Sequence, residues 1–239
     1  MRVIYLGQEY IEGLKYLIAE GLDDVVVVVA SAGPLVDTAL QCNVPVMTDT
    51  ELYLDMPEDI DLVISYGFPK RIRKSLIKLP KIGCINFHPA PLPEFGGMGG
   101  VYNFAIYENV NYWGVSAHFV DESFDTGDVI KVVRFPIKAG QETVASLKQK
   151  SHEALITLFR EVIDTVHKGE SLPREPQGRG RYISRRDFEE LRRIKPSDSL
   201  DVINRKVRAF WYPPYGGACI ELYGKEFTLV DKELLGLIK

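Results

Sequence analysis

Asn86 and His88 stand two residues apart in G-C-I-N-F-H-P-A-P-L-P-E-F-G-G-M-G-G, the stretch from Gly83 to Gly100. If Cys84, Ile85 and Phe87 make this a strand, Asn86 and His88 share one of its faces, because side chains alternate with a period of two. Pro89, Pro91 and Pro93 forbid further regular pairing, and a glycine-rich loop follows. An imidazole beside a carboxamide can stabilise a developing oxyanion and move a proton at neutral pH. The bland alternative is a hydrogen-bonded core histidine. Asp125 opens D-T-G within D-E-S-F-D-T-G-D, residues 121–128, 37 positions after His88. It reads either as a turn aspartate satisfying backbone N–H groups or as a carboxylate that orients His88. D-T-G also occurs in aspartic proteases, but those need two such aspartates, and this chain has one. His118 lies on a strand pattern in which Ser116, His118 and Val120 share a face. It either lines the same cleft or packs within the sheet.

The elements that must position these groups alternate in type. Arg2–Leu6, Val25–Ala30, Val44–Met47, Asp61–Tyr66 and Gly83–His88 read as strands. Gln8–Glu20, Leu35–Cys42 and Arg71–Ile77 read as the intervening helices. Val101–Glu108 is expected to be helical, and Trp113–Val120 and Val129–Ile137 to form a β-ribbon returning to the sheet. Thr143–His167 is the longest expected helix, with Thr143 as N-cap and a core stripe at Val144, Leu147, Ala154, Leu155, Leu158 and Val162; His152 and His167 are expected at its surface. The fold class is therefore α/β, a doubly wound Rossmann-like sheet whose ligands bind at the carboxyl ends of the strands. The first strand–helix turn, G-Q-E-Y, lacks the dinucleotide fingerprint.

Composition shifts at 171–181, which is rich in Pro, Gly and Arg, so residues 1–170 are expected to form the main domain. Residues 171–239 form a small C-terminal extension. It holds a charged segment (Arg185–Lys195), a helix (Ser199–Ala209), the cluster Phe210-Trp211-Tyr212 with Tyr215, and a hairpin of Ala218–Tyr223 and Glu226–Val230 turned at Gly224-Lys225. The aromatics suit either a small core, a dimer contact or a platform for stacking a nucleobase, with Arg185, Arg186, Arg205 and Arg208 near enough in sequence to pair phosphates.

The net charge of −4 argues against a nucleic-acid partner. Three scattered cysteines suit free thiols in a reducing cytoplasm, and no cysteine–histidine cluster points to a metal. Neither a signal peptide nor a membrane-length apolar run is expected.

Taken together, Asn86-x-His88-Pro89, the glycine-rich loop and E-S-F-D-T-G-D at this spacing resemble the 10-formyltetrahydrofolate-dependent formyltransferases, over roughly residues 1–170. The resemblance implies that Asn86, His88 and Asp125 form the catalytic trio. It also implies that the folate's pterin end lies against Phe68, Pro69, Lys70 and Ile72 on one side and Val120, Asp121, Glu122 and Asp125 on the other. Gly97, Met98, Tyr102, His118, Arg208, Trp211 and Tyr212 are the candidate acceptor contacts. The family loop often carries a basic residue where this chain has Gly96. Among its branches, R-A-F-W-Y-P-P-Y-G-G-A followed by a hairpin is most similar to the nucleotide-sugar N-formyltransferases, which implies a dTDP-linked 4-amino-4,6-dideoxyhexose as acceptor, a product for surface polysaccharide such as O-antigen, and a homodimer. Glycinamide ribonucleotide and methionyl-tRNA formyltransferases are the alternative branches, and a non-catalytic folate or nucleotide-sugar sensor is the alternative class.

Overall fold

The computed structural model describes residues 1–19, 21, 23–97 and 100–236. In chain order the elements are β1 (Arg2–Gly7), α1 (Glu12–Ala19), β2 (Asp24–Val29), α2 (Pro34–Gln41), β3 (Val46–Met47), α3 (Asp49–Leu54), β4 (Leu62–Tyr66), α4 (Lys74–Ile77) and β5 (Gly83–His88). There follow α5 (Val101–Glu108), β6 (Tyr112–Phe119), β7 (Val129–Pro136), α6 (Val144–His167), α7 (Arg185–Arg192), α8 (Leu200–Phe210), β8 (Cys219–Leu222), β9 (Lys225–Thr228) and α9 (Lys232–Leu235). A seven-stranded sheet has the order β3-β2-β1-β4-β5-β6-β7. Its first five strands are parallel, and β6 and β7 add to it antiparallel. Apolar β-branched runs cause this, since strands covered on both faces carry no polar alternation.

One face of the sheet packs on α1 and α6. There Phe159 is fully buried, its ring 4.8 Å from Phe87 and 5.7 Å from Tyr66. Truncating a core aromatic of this kind costs about 3–5 kcal/mol. The opposite face buries Ile4, Leu6, Val29 and Val63 with Leu52 of α3 and Leu76 of α4. A further cluster joins α5, Trp113 and Leu147 to Ile183, Val207 and Phe210, so the C-terminal segment shares a core with the sheet's β6 end. The buried Trp113 indole N–H donates to Ser151 Oγ at 2.9 Å, which satisfies its polar edge.

Several expectations are corrected. The first helix starts at Glu12 rather than Gln8, because Tyr10 is drawn out of helical register to stack on Tyr66 at 4.9 Å. The basic helix shrinks to the single turn of α4, since Arg73, whose N–H donates to Tyr53 Oη (2.8 Å), is itself extended. The strand expected from Val44 holds only Val46 and Met47. Helix α3 was not expected, although Thr48 and Glu51 form the reciprocal cap that announces it. The hairpin turns at Tyr223-Gly224, both at positive φ (52° and 74°), one residue earlier than expected. His152 and His167 are not free surface residues. His152 stacks on Tyr10 at 4.8 Å, and His167 Nε2 lies 3.0 Å from the fully buried Asp23 carboxylate.

Candidate functional site

A cleft of about 290 Å³ opens where β4 and β5 end. Strand register brings its polar groups together: Ser65 pairs Asn86 across β4 and β5, and Asn86 pairs His118 across β5 and β6. Asn86 Oδ1 accepts from Ser65 Oγ at 2.8 Å. His118 Nδ1 is 2.8 Å from the Phe119 carbonyl, which can only accept, so this nitrogen carries the proton. Nε2 of His118 then accepts from Asn86 Nδ2 at 3.0 Å. These two bonds fix which way the Asn86 amide faces. By the same argument His88 Nε2 donates to the Phe95 carbonyl (2.9 Å), and its Nδ1 is left facing Asp125 Oδ1 at 3.6 Å.

Asp125 closes the cluster from the loop after β6. Its Oδ2 accepts the Gly97 N–H at 2.8 Å, and its Oδ1 lies 3.4 Å from Asn86 Nδ2 and 3.5 Å from His118 Nε2. Burial works to raise the Asp125 carboxyl pKa. The positive charge of His88 and His118 when protonated, together with the Gly97 N–H, outweighs it and holds the carboxyl well below the ordinary carboxylate range. The cleft therefore holds an ionised carboxylate, two imidazoles and an oriented amide donor, all mostly buried. Such a group can stabilise negative charge on a carbonyl oxygen and relay a proton.

The remaining expected residues divide. Phe68, Lys70, Ile72, Gly97, Tyr102, Val120 and Asp121 line the cleft with the trio and His118. Asp121 also organises the loop, its carboxylate accepting from Ser123 N–H (2.9 Å) and the Thr126 hydroxyl (2.7 Å). Pro69 faces a small separate hollow beside Gly7 and Gln8. Glu122 turns outward to pair with Lys74. Met98 lies outside the described residues.

A second cavity of about 590 Å³ adjoins the cleft at Gly100. Phe188, Phe210, Tyr212, Tyr215 and Arg185 are among its walls. Tyr212 and Tyr215 stack with ring centres 5.2 Å apart. Arg208 and Trp211 line neither cavity. The helix ends between them: Phe210 is buried, Trp211 is the C-cap, and the chain then leaves α8, with Tyr212 half-buried on the wall of the second cavity. Arg205 is held by Asp201 at 3.1 Å, away from both cavities. Sequence reasoning gave no role to Ser65, whose only signal was its place at the end of an apolar strand.

Residues 49–163 match the family model described as formyl transferase. A methionyl-tRNA formyltransferase of Myxococcus xanthus is 30% identical over 247 residues, spanning 94% of this chain and 76% of that protein. The chain covers less than two thirds of the other curated relatives it matches, 45% of one from Citrifermentans bemidjiense. Among solved structures, an N-formyltransferase from Helicobacter canadensis in complex with folinic acid and dTDP-3-aminofucose superposes with a TM-score of 0.75 at 21% identity, over 93% of this chain and 84% of that one. A sugar N-formyltransferase from a Shewanella species gives 0.77 at 16% identity over 96% of both chains. These likenesses establish the doubly wound fold, and the sequence match assigns the activity class: the chain belongs to the formyltransferase family.

Proposed function

We propose that the protein is a nucleotide-sugar N-formyltransferase, moving the formyl group of 10-formyltetrahydrofolate onto the amine of a dTDP-linked 4-amino-4,6-dideoxyhexose. The observation that carries this reading is the pair of cavities meeting at Gly100, one walled by the trio and the other by C-terminal aromatics. The cleft suits the donor: Phe68, Ile72, Val120 and Phe124 offer an apolar slot for a flat heterocycle beside backbone polar groups. The second cavity suits a nucleotide, with the stacked Tyr212 and Tyr215 for a base and Arg185, whose side chain is 87% exposed, for a phosphate. The ligands of the Helicobacter neighbour support both assignments.

In this reading the acceptor amine attacks the formyl carbon. As the new C–N bond forms, the carbonyl oxygen becomes an oxyanion stabilised by the Asn86 amide and a protonated His88. Asp125, anionic between the imidazoles, keeps His88 charged and helps relay the amine's proton toward the folate nitrogen. The bond from carbon to the folate nitrogen then breaks, and that nitrogen takes the proton. The product, a formamido sugar, is a building block for surface polysaccharide, made in the cytoplasm.

The similarity to methionyl-tRNA formyltransferases favours a second acceptor, an aminoacyl-tRNA. A net charge of −4 weighs against it, since tRNA binding draws on phosphate neutralisation. The test supplies 10-formyltetrahydrofolate with dTDP-4-amino-4,6-dideoxyglucose, methionyl-tRNA or glycinamide ribonucleotide and follows formyl gain by mass spectrometry. Formylation of the sugar nucleotide alone is expected. Transfer to methionyl-tRNA or to the ribonucleotide would overturn the acceptor assignment while keeping the trio. Tight binding of donor and sugar nucleotide with no turnover would turn the reading to a sensor.

A further inference from the structure

The stretch after α6, where composition shifts and the C-terminal extension begins, is bonded to both catalytic loops. Glu175 exchanges backbone hydrogen bonds with Val129 at 2.8 and 3.0 Å. Arg181 N–H donates to the Pro93 carbonyl (3.0 Å), Gly96 N–H to the Arg181 carbonyl (3.0 Å) and Ile183 N–H to the Gly96 carbonyl (2.8 Å). Between these anchors, the Gln177 side-chain amide donates to two carbonyls of the D-T-G turn, Asp125 O at 3.0 Å and Gly127 O at 2.6 Å.

That turn is under strain. Asp125 has φ 55°, a left-handed conformation that costs free energy in any residue with a Cβ. A Cβ on Gly127 would come 2.0 Å from the Phe119 carbonyl, so the turn lies hard against the end of β6. Strained backbone at a functional site persists only where its surroundings over-determine it. A carboxamide has two N–H groups, and Gln177 has a carbonyl of the turn for each.

We infer that Gln177 is a positioning residue for formyl transfer: its amide, clamped on Asp125 O and Gly127 O, holds Asp125 in the left-handed conformation that aims its carboxylate at His88 and the Gly97 N–H. The inference rests on reading Asp125 as one of the reacting groups. Gln177 touches no reacting atom, so its loss should misplace the carboxylate without emptying either cavity. A misplacement of about 1 Å is enough to cost on the order of 100-fold in rate.

The experiment compares Gln177→Met, Gln177→Asn, Gln177→Lys and Asp125→Asn in the full chain, assayed with 10-formyltetrahydrofolate and dTDP-4-amino-4,6-dideoxyglucose. Met keeps the length without donors, Asn keeps the donors but falls a methylene short, and Lys restores a donor at full reach. Gln177→Met and Gln177→Asn are expected to lower kcat by about 100-fold with both KM values within about threefold of wild type, and Gln177→Lys to recover most of the loss. The carbon-13 resonance of the Asp125 carboxyl gives a readout independent of any acceptor: it should titrate at higher pH in Gln177→Met and return toward wild type in Gln177→Lys. Near-wild-type kcat and an unmoved resonance in Gln177→Met or Gln177→Asn, beside an inactive Asp125→Asn, would overturn the role of Gln177 alone. An active Asp125→Asn would instead overturn the reading of the trio on which the inference rests.

Discussion

Asp125 is held ionised by its neighbours, and that has an acid consequence. Its native pKa is depressed relative to the unfolded value of about 3.9, so the carboxylate contributes stability that is fully present above that pH. The contribution fades as pH falls through about 4 toward the native-state value. Asp125→Asn removes the titration. Chemical denaturation at pH 7 and at pH 3 should therefore show wild type losing stability relative to the variant as the solution is acidified; a difference that does not change with pH would contradict this account. In the formyl-transfer assay the same substitution should lower kcat by about 10²- to 10⁴-fold, the range for losing a group in proton transfer.

At the scale of elements, the loop after β5 and the chain entering α7 are fitted backbone to backbone. Gly97 has φ 103°, and a Cβ there would come 2.5 Å from the Ile183 carbonyl. Gly224 also has positive φ, yet a Cβ at that position meets nothing within 4 Å. Both alanine substitutions bear backbone strain, but only Gly97→Ala must also push the two segments apart. Gly97→Ala is expected to cost about 1–3 kcal/mol more than Gly224→Ala, seen as a Tm lower by several degrees in thermal unfolding. Equal Tm values would mean that the contact gives way freely. Much of this level was readable beforehand. The β-branched runs gave the strands, Thr143 and His167 bracketed α6, and alternation put Asn86 and His88 on one face. Readable signals were lost where a side chain answers to a distant partner. Tyr10 leaves its helix for Tyr66, and Gln177, inside P-R-E-P-Q-G-R-G, has the local composition of a linker. The even choice over His118 also had a non-local cause: only the pairing of β6 with β5 places it on Asn86.

For the whole molecule, the segment from 171 onward matters because it brings a second wall to the mouth of the cleft. Tyr212, on the wall of the second cavity beyond α8, is the residue to test in place of Trp211. Tyr212→Ala should raise the KM for the sugar nucleotide by about 10- to 100-fold, the scale of one lost base–aromatic stack, and leave the KM for the donor unchanged. Equal effects on both substrates would place the nucleotide elsewhere. One feature of the sheet also bears on how copies of this chain can meet. Its outer strand β3 has two residues. At the other margin, β7 begins under Glu175, carries Lys131 paired to Glu161 and Arg134 paired to Glu94, and ends at Pro136. A template for strand addition needs a long run of bare amide and carbonyl groups, and charge, proline and brevity are how natural margins deny one. The seven-stranded sheet is thus guarded against growing into a neighbour's, and fibrous association through it is disfavoured even at high concentration.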